Sequence, residues 1–329
     1  VPTRNPGPPF LSVITPLFNC LALTQAMVAS LQSSLPSGLA YEVILVDDGS
    51  TDGTRAWLAT LGEPFRVVLN EQNLGFGIAT NRGTAVARGR VLAFLNNDLI
   101  LTPGWLGPML WALRLMGPKA GFVGNVQLNA ATGQVDHAGI FINLKGKPEH
   151  DRRAPSWLAR LLAPRKAVAA ATGACLLVRA ATWRRLGGFD ESYVNGCEDV
   201  DACLRAREFG LWNVVALRSR VLHHVSASPG RKRRDEENTR RLTLRWRHAL
   251  AVLASREWTW VNFLPVVPEP RDFPDTAEAL RMAAWGRPSM PSSRGGAKCS
   301  PIDHADVPAH PSLRRSLCPA FHPVLGHLL

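Results

Sequence analysis

Short apolar runs separated by turn residues dominate the first hundred positions. Residues 11–15, 42–46, 65–69 and 91–95 read as buried strands, the first ending at Pro16 and the last at Asn96-Asn97-Asp98. Between them the apolar period lengthens. Leu23, Met27, Leu31 and Leu35 recur every four residues, which predicts a helix over 22–35 that Pro36-Ser37-Gly38 breaks. A second helix starts after Ser50, and a third spans 78–87 beyond the loop 70–77. Strands alternating with helices in this way predict a parallel, doubly wound sheet.

The second half is less regular. Residues 123–128, 139–142 and 170–178 are strand-like, and 214–217 with 220–222 lead into His223-His224. A helix is expected over 200–209, directly after the acidic pair Glu198-Asp199. The basic, proline-interrupted stretch 145–166 reads as a flexible loop near the site, and one or two basic helices cover 235–256. Beyond Pro265 the chain is rich in Pro, Gly, Ser and Arg without periodicity, as in a flexible tail. The expected organisation is an extension over 1–10, a main domain over 11–228, a basic helical segment over 229–264 and the tail over 265–329.

Composition narrows the class. The chain has 329 residues, 46% of them hydrophobic, which is ample for one large core. No run reaches the roughly 18 apolar residues of a spanning helix, and the longest, 167–178, is interrupted by Thr172 and Gly173. The first residues carry no signal-peptide pattern and no initiator Met, so a fragment or a processed form is expected, soluble and cytoplasmic. Six cysteines without C-x-x-C spacing are expected to be reduced and mostly buried, with no structural zinc. The net charge of +12 gathers in Arg231-Lys232-Arg233-Arg234, Arg240-Arg241, Arg245-Trp246-Arg247 and Arg314-Arg315. No stacking module accompanies it, so nucleic acid is not an expected partner. Peripheral attraction to an anionic membrane, at the inner face of the plasma membrane, is compatible with that charge.

Candidate chemistry sits where strands end. In open α/β sheets ligands bind at the carboxyl edge of the strands. Asp47-Asp48 follow the second strand and Asp98 the fourth, while Glu198-Asp199 and His223-His224 lie at later loops or element ends. Asp47 and Ser50 have an alternative role as caps of the next helix. A dinucleotide-binding fold needs G-x-G-x-x-G after the first strand, and residues 15–21 contain no glycine, which excludes it.

In order along the chain, these segments resemble the family 2 glycosyltransferases, in particular their rhamnosyltransferase-like branch. Ser12-Val13-Ile14-Thr15-Pro16-Leu17-Phe18-Asn19 is similar to the opening S-V-I-x-P-x-[YF]-N, and Val46-Asp47-Asp48-Gly49-Ser50-Thr51-Asp52 to V-D-D-G-S-x-D. Asn73-x-Gly75-Phe76-Gly77-x-Ala79-x-Asn81-x-Gly83 resembles the glycine-rich helix entry. Leu95-Asn96-Asn97-Asp98 resembles that branch's form of the D-x-D motif. Thr172-Gly173-Ala174, Gly187-Gly188-Phe189-Asp190-Glu191, Glu198-Asp199-Val200-Asp201 and His223-His224-Val225-Ser226-Ala227-Ser228 complete the series over about residues 11–256. Asn96 replaces the first acid of D-x-D, and Val225 and Pro229 replace a frequent glutamate and arginine.

The resemblance implies a GT-A fold, with a doubly wound, mostly parallel sheet and flanking helices. It also implies an inverting, metal-dependent transfer of sugar from a nucleotide-sugar, UDP- or dTDP-linked, to a hydroxyl of a polysaccharide, lipid-linked glycan or glycoconjugate. Asp98 and His223 are the implied ligands of Mn2+ or Mg2+, with His224 as the rival imidazole. Hard cations prefer oxygen ligands, and manganese also accepts imidazole. Asp199 is the implied base, supported by Glu198. Pro16, Phe18, Asp47, Asp48, Asn73, Gly77, Asn81 and Asn97 are assigned to the nucleotide and its phosphates, and Gly173 and Ala174 to the donor sugar. The alternative is a glycosyltransferase-like domain that binds nucleotide without turnover.

Overall fold

The computed structural model describes residues 7–224 and 234–263. The motif residues 225–228, Pro229, the cations 231–233, Cys299, Cys318 and the tail 265–329 lie outside the described residues. The chain runs β1 (Leu11–Leu17), α1 (Leu21–Ser34), β2 (Tyr41–Asp48), α2 (Thr54–Leu58), β3 (Phe65–Asn70), α3 (Phe76–Ala85), β4 (Val91–Leu95), β5 (Leu99–Leu101) and α4 (Leu106–Met116). It continues through β6 (Ala120–Asn129), β7 (Val135–His137), β8 (Ile140–Ile142), β9 (Pro148–His150), α5 (Trp157–Leu162) and β10 (Arg165–Ala167). Last come β11 (Cys175–Arg179), α6 (Ala180–Leu186), α7 (Glu198–Glu208), β12 (Trp212–His223) and α8 (Asp235–Phe263).

The main sheet has the order β10-β12-β6-β11-β4-β1-β2-β3, with β5 added to β12 and β7 to β6. Strand residues alternate between its two faces. Ile14, Ile44, Val46, Phe94 and Leu176 pack beneath α3, α6, α7 and α8, whereas Val13, Val43, Leu45, Ala93 and Leu177 pack beneath α1 and α4. Both faces are covered, which explains why residues 43–46 of β2 and all of β4 read as unbroken apolar runs and why even Ser12 and Thr15 of β1 are buried. The parallel character foreseen from the alternation holds for β3-β2-β1-β4 and for β6 against β12. Between these blocks β11 runs antiparallel to both β4 and β6, so the sheet is mixed. An apolar run fixes that a strand is buried but carries no sign of its direction, and the sequence left this open.

Helix α3 lies close on the sheet. A Cβ on Gly83 would come within 2.6 Å of Ile14 Cγ2 and 2.8 Å of Val46 Cγ2, both in the core. Gly83→Val is therefore expected to cost about 3 kcal/mol through overpacking, seen as a lower urea midpoint with an unchanged slope.

Three local expectations are corrected. Residues 145–166 are not a plain loop but hold β9, α5 and the beginning of β10, which pairs with β12. These pieces of three to six residues are too short to show a period. Helices α4 and α6 went unforeseen, α4 because Pro108 reads as a breaker although it sits in the first turn, where proline is tolerated. The pair Glu198-Asp199 does not precede α7 but opens it.

The hairpin β8-β9 is tied to β10 through Asp151. Its buried carboxylate accepts from Arg153 Nε (2.8 Å) and from Lys166 Nζ. Burial pushes this carboxyl up, but the hydrogen bonds from Arg153 and Lys166 outweigh it and hold it at about 2. A folded value below the unfolded ~3.9 gives a contribution that is complete at neutral pH and lost as pH falls through about 4 to 2. Asp151→Asn is expected to lose on the order of 2 kcal/mol near neutral pH and almost nothing near pH 2. Urea titrations at the two pH values check it.

Candidate active site

An open cleft lies at the carboxyl ends of β1, β2 and β4. Its wall over β1 is made by Pro16, Leu17 and Phe18. The chain then turns through Asn19 and Cys20, both left-handed, with φ of 56° and 61°. That turn is pinned to the one after β2: Asn19 N donates to Ser50 Oγ (2.8 Å), and Thr51 N donates to Asn19 Oδ1 (2.8 Å). Non-glycine residues in this region carry strain that the surroundings must hold, and here the cross-links do so.

The two aspartates ending β2 have different surroundings. Asp47 is fully buried, takes Arg55 Nε at 2.6 Å, and stands outside the cleft lining. Asp48 lines the cleft, yet its oxygens accept from Asn70 Nδ2 (2.7 Å), Leu74 N (3.0 Å) and Gly75 N (2.8 Å). It thereby shapes the loop that presents Asn73 and Phe76 to the cleft. Asn81 also stands away from the lining. Its Nδ2 donates to Phe189 O (2.9 Å) and Glu191 Oε1 (2.9 Å), and its Oδ1 accepts from Phe189 N (2.9 Å). Gly77 faces the same segment, where a Cβ would make only ordinary contacts with Phe189 Cβ (3.7 Å) and Glu198 Cβ (4.0 Å).

The opposite wall comes from far along the chain. Thr172, Gly173 and Ala174 lead into β11, and Ala174 O accepts from Asn96 N (2.9 Å). Helix α7 begins at the cleft after Asn195 and Cys197, both at positive φ. Asn195 Oδ1 accepts from Phe76 N (2.9 Å), closing the cleft across 119 residues of sequence. Glu198 accepts from Gly196 N (2.7 Å). Asp199 accepts from Gly173 N through Oδ2 (2.8 Å) and from Val200 N through Oδ1 (2.8 Å). Both carboxylates line the cleft. Two thiols register the negative field there. Burial, then Asp52 and Asp98, pushes Cys20 up, while burial, then Asp199 and Glu198, pushes Cys197 up to about 12.

Asp98 lies at the base of the cleft, after β4, where Asn97 Nδ2 donates to Thr24 Oγ1 (3.0 Å). The strand pair β5-β12 brings His223 beside it, with Leu99 opposite His223 in register, and His224 N donates to Asp98 O (3.0 Å). His223 Nε2 is 3.3 Å from Asp98 Oδ1, and both side chains are buried. Neither atom makes a hydrogen bond, nor does His223 Nδ1. Buried polar atoms are ordinarily satisfied, so an oxygen and an imidazole nitrogen left this way fit a divalent cation. No third His, Cys, Asp or Glu joins them among the described residues, leaving further coordination positions to a ligand or water.

Of the residues the sequence singled out, Pro16, Phe18, Asp48, Asn73, Asn97, Asp98, Gly173, Ala174, Glu198 and Asp199 converge on one cleft. His223 stands behind Asp98. Sequence reasoning missed Leu17, Phe76, Asn96, Thr172 and Asn195 as lining residues. All but Asn195 lie within quoted motifs, and Asn195 had a signal in its place just before Gly196-Cys197-Glu198, since asparagine tolerates the left-handed region.

The profile of Glycosyl transferase family 2 matches residues 12–163. A relative in Myxococcus xanthus, the O-antigen biosynthesis protein RfbC, is 31% identical over 239 residues, 68% of this chain but 18% of that protein. The uncharacterized protein y4gI of Sinorhizobium fredii is 29% identical over 245 residues, 71% of this chain and 26% of its own length. The chain thus spans only 18% and 26% of these two relatives. The N-acetylglucosaminyl-diphospho-decaprenol L-rhamnosyltransferase of Mycobacterium tuberculosis is 30% identical over 220 residues, 60% of this chain and 71% of the relative. Among solved structures, GalNAc-T7 crystallised with UDP, GalNAc and Mn2+ superposes with a TM-score of 0.60 at 16% identity, over 80% of this chain and 52% of that one. The mixed sheet with flanking helices is accordingly a GT-A arrangement. With its motifs in order and a 30% identical relative matched over 71% of that relative's length, the chain belongs to glycosyl transferase family 2.

Proposed function

We propose that the chain is an inverting, divalent-cation-dependent glycosyltransferase that takes a UDP- or dTDP-sugar and glycosylates a hydroxyl of a polysaccharide, lipid-linked glycan or glycoconjugate. The observation that carries the reading is one cleft with Asp199 on one wall and, at its base, Asp98 Oδ1 and His223 Nε2, buried 3.3 Å apart without hydrogen bonds. Pro16 and Phe18 offer an apolar wall to the base, and Asn73 and Asn97 offer amide groups to the ribose and phosphates. Asp48 acts on the nucleotide chiefly through the Asn73 loop that it shapes. Asp47, Gly77 and Asn81 support the same elements from behind.

Asp199 takes the proton from the acceptor hydroxyl as that oxygen attacks the anomeric carbon, on the face opposite the departing diphosphate. The Gly173 and Val200 amides hold its carboxylate in place and leave lone pairs for that proton. Glu198, tied to Gly196 N, supports the helix start or meets the acceptor. A cation held by Asp98 and His223, Mn2+ or Mg2+, would neutralise the charge that grows on the diphosphate. Two comparisons support the class of ligands: the solved GalNAc-T7 holds UDP and Mn2+, and the name of the M. tuberculosis relative carries a lipid-linked diphospho sugar.

The test is transfer from a set of nucleotide-sugars to a polyprenyl-diphospho-sugar acceptor, followed by NMR of the new anomeric centre. Release of nucleoside diphosphate with inverted configuration is expected. Retained configuration, or no release from a folded sample, would contradict the proposal.

A further inference from the structure

We infer that α5 is a membrane-docking element that lies in the interface of an anionic bilayer. Trp157, Leu158, Leu161 and Leu162 are spaced i, i+1, i+4 and i+5, which puts them on one side of the helix. That side is bare. Trp157 is 69% exposed, Leu161 57% and Leu162 56%. Leu144, on the preceding β8-β9 turn, is exposed as well. A monomer in water gains nothing from a Trp and three leucines held outward on six residues, and exposed clusters of this kind mark binding surfaces.

The charge around the helix selects the occupant. Residues 145–166 hold seven Lys and Arg against two acids. Asp151 is already taken by Arg153 and Lys166, while Lys145, Lys147, Arg160 and Arg165 have no acidic partner among the described residues. From β12, Arg218 donates to the carbonyls of Arg160 (2.7 Å) and Leu161 (2.9 Å), capping the helix end and adding a further cation. Exposed Trp and Leu bordered by Lys and Arg form the pattern of a helix lying in a headgroup layer, where burial of the apolar side and attraction to anionic lipid add together. No helix among the described residues is long and apolar enough to cross a membrane. The placement at the β10 edge of the sheet leaves the cleft ends of β1, β2 and β4 on the other elements of the fold. The inference stands apart from the proposed chemistry and does not need it.

The test is sedimentation of the full chain with vesicles of phosphatidylcholine alone and of phosphatidylcholine mixed with phosphatidylglycerol. Binding to the anionic vesicles, weakened by salt, is expected for the unaltered chain. Replacing Trp157→Ser and Leu161→Ser together should reduce partitioning about tenfold or more. Because these side chains are exposed, the thermal midpoint should stay where it was, which separates lost docking from lost folding. Lys145→Glu with Lys147→Glu should reduce binding to anionic vesicles and leave the weaker neutral binding as it was. Equal binding by the serine variant would overturn the inference and move the contact elsewhere. So would a chain that ignores vesicles but forms a dimer that the serine variant dissociates, since the occupant would then be a second copy.

Discussion

Asp199→Asn is expected to lower turnover by about 10²–10⁴-fold while nucleotide affinity and the fold persist. The substitution preserves shape and keeps one amide oxygen to accept from Gly173 N, the contact that ties α7 to the strand entry. What it removes is the capacity to take a proton. The second acceptor, which now takes Val200 N, is lost with it, a single part-buried bond that contributes about 1 kcal/mol. Activity and stability should therefore separate. The check is kcat beside the Kd for nucleotide and the thermal midpoint, all on the same preparation. Equal turnover in the variant would remove Asp199 from the chemistry, and absent turnover in both forms would favour a domain that binds nucleotide without transferring sugar.

Asp98→Ala should have the second largest effect, with opposite signs on activity and on stability. Asp98 Oδ1 and His223 Nε2 are buried without hydrogen bonds. A buried polar atom without a partner costs about 1–3 kcal/mol, so the metal-free variant should unfold at an equal or higher temperature than the parent. If the pair exists to hold a cation, the same variant should lose about a hundredfold or more of turnover, a loss equivalent to several kcal/mol of charge stabilisation. His223→Ala should reproduce the loss of activity and His224→Ala should not, because the buried His223 imidazole stands against Asp98 Oδ1 while His224 meets Asp98 through its backbone N–H. A melting curve with and without Mn2+, beside a rate, distinguishes this from a merely structural contact, for which both stability and activity would fall together.

The parallel core of the fold was legible because β1, β2 and β4 are buried on both faces and read as mainly apolar runs ending in Pro, Asp and Asn. The cleft-forming residues were legible for the same reason, since strand ends announce where side chains become available to a ligand. Other features depend on information that a local pattern does not carry. The direction of β11 follows from the excursion through β7, β8, β9 and β10, not from its own apolar residues. The difference between Asp47 and Asp48 arises from Arg55 on one side and the Asn70–Gly75 turn on the other, both brought in by tertiary packing. Asn81 sits in the glycine-rich helix entry yet clasps Phe189, a partner 108 residues away. Nor could spacing tell His223 from His224: an adjacent pair points to opposite faces of a strand, and which face meets Asp98 depends on the β5-β12 register.

The most direct measurement is thermal unfolding of the chain with UDP, dTDP, GDP and CMP, each with Mn2+ and with a chelator in its place. A ligand that binds only the folded state raises the midpoint by RT ln(1 + [L]/Kd). The account predicts a rise for UDP or dTDP that needs the metal and disappears in Asp98→Ala. No rise with any nucleotide, or an equal rise with chelator, would contradict a metal-assisted nucleotide-sugar site in this cleft.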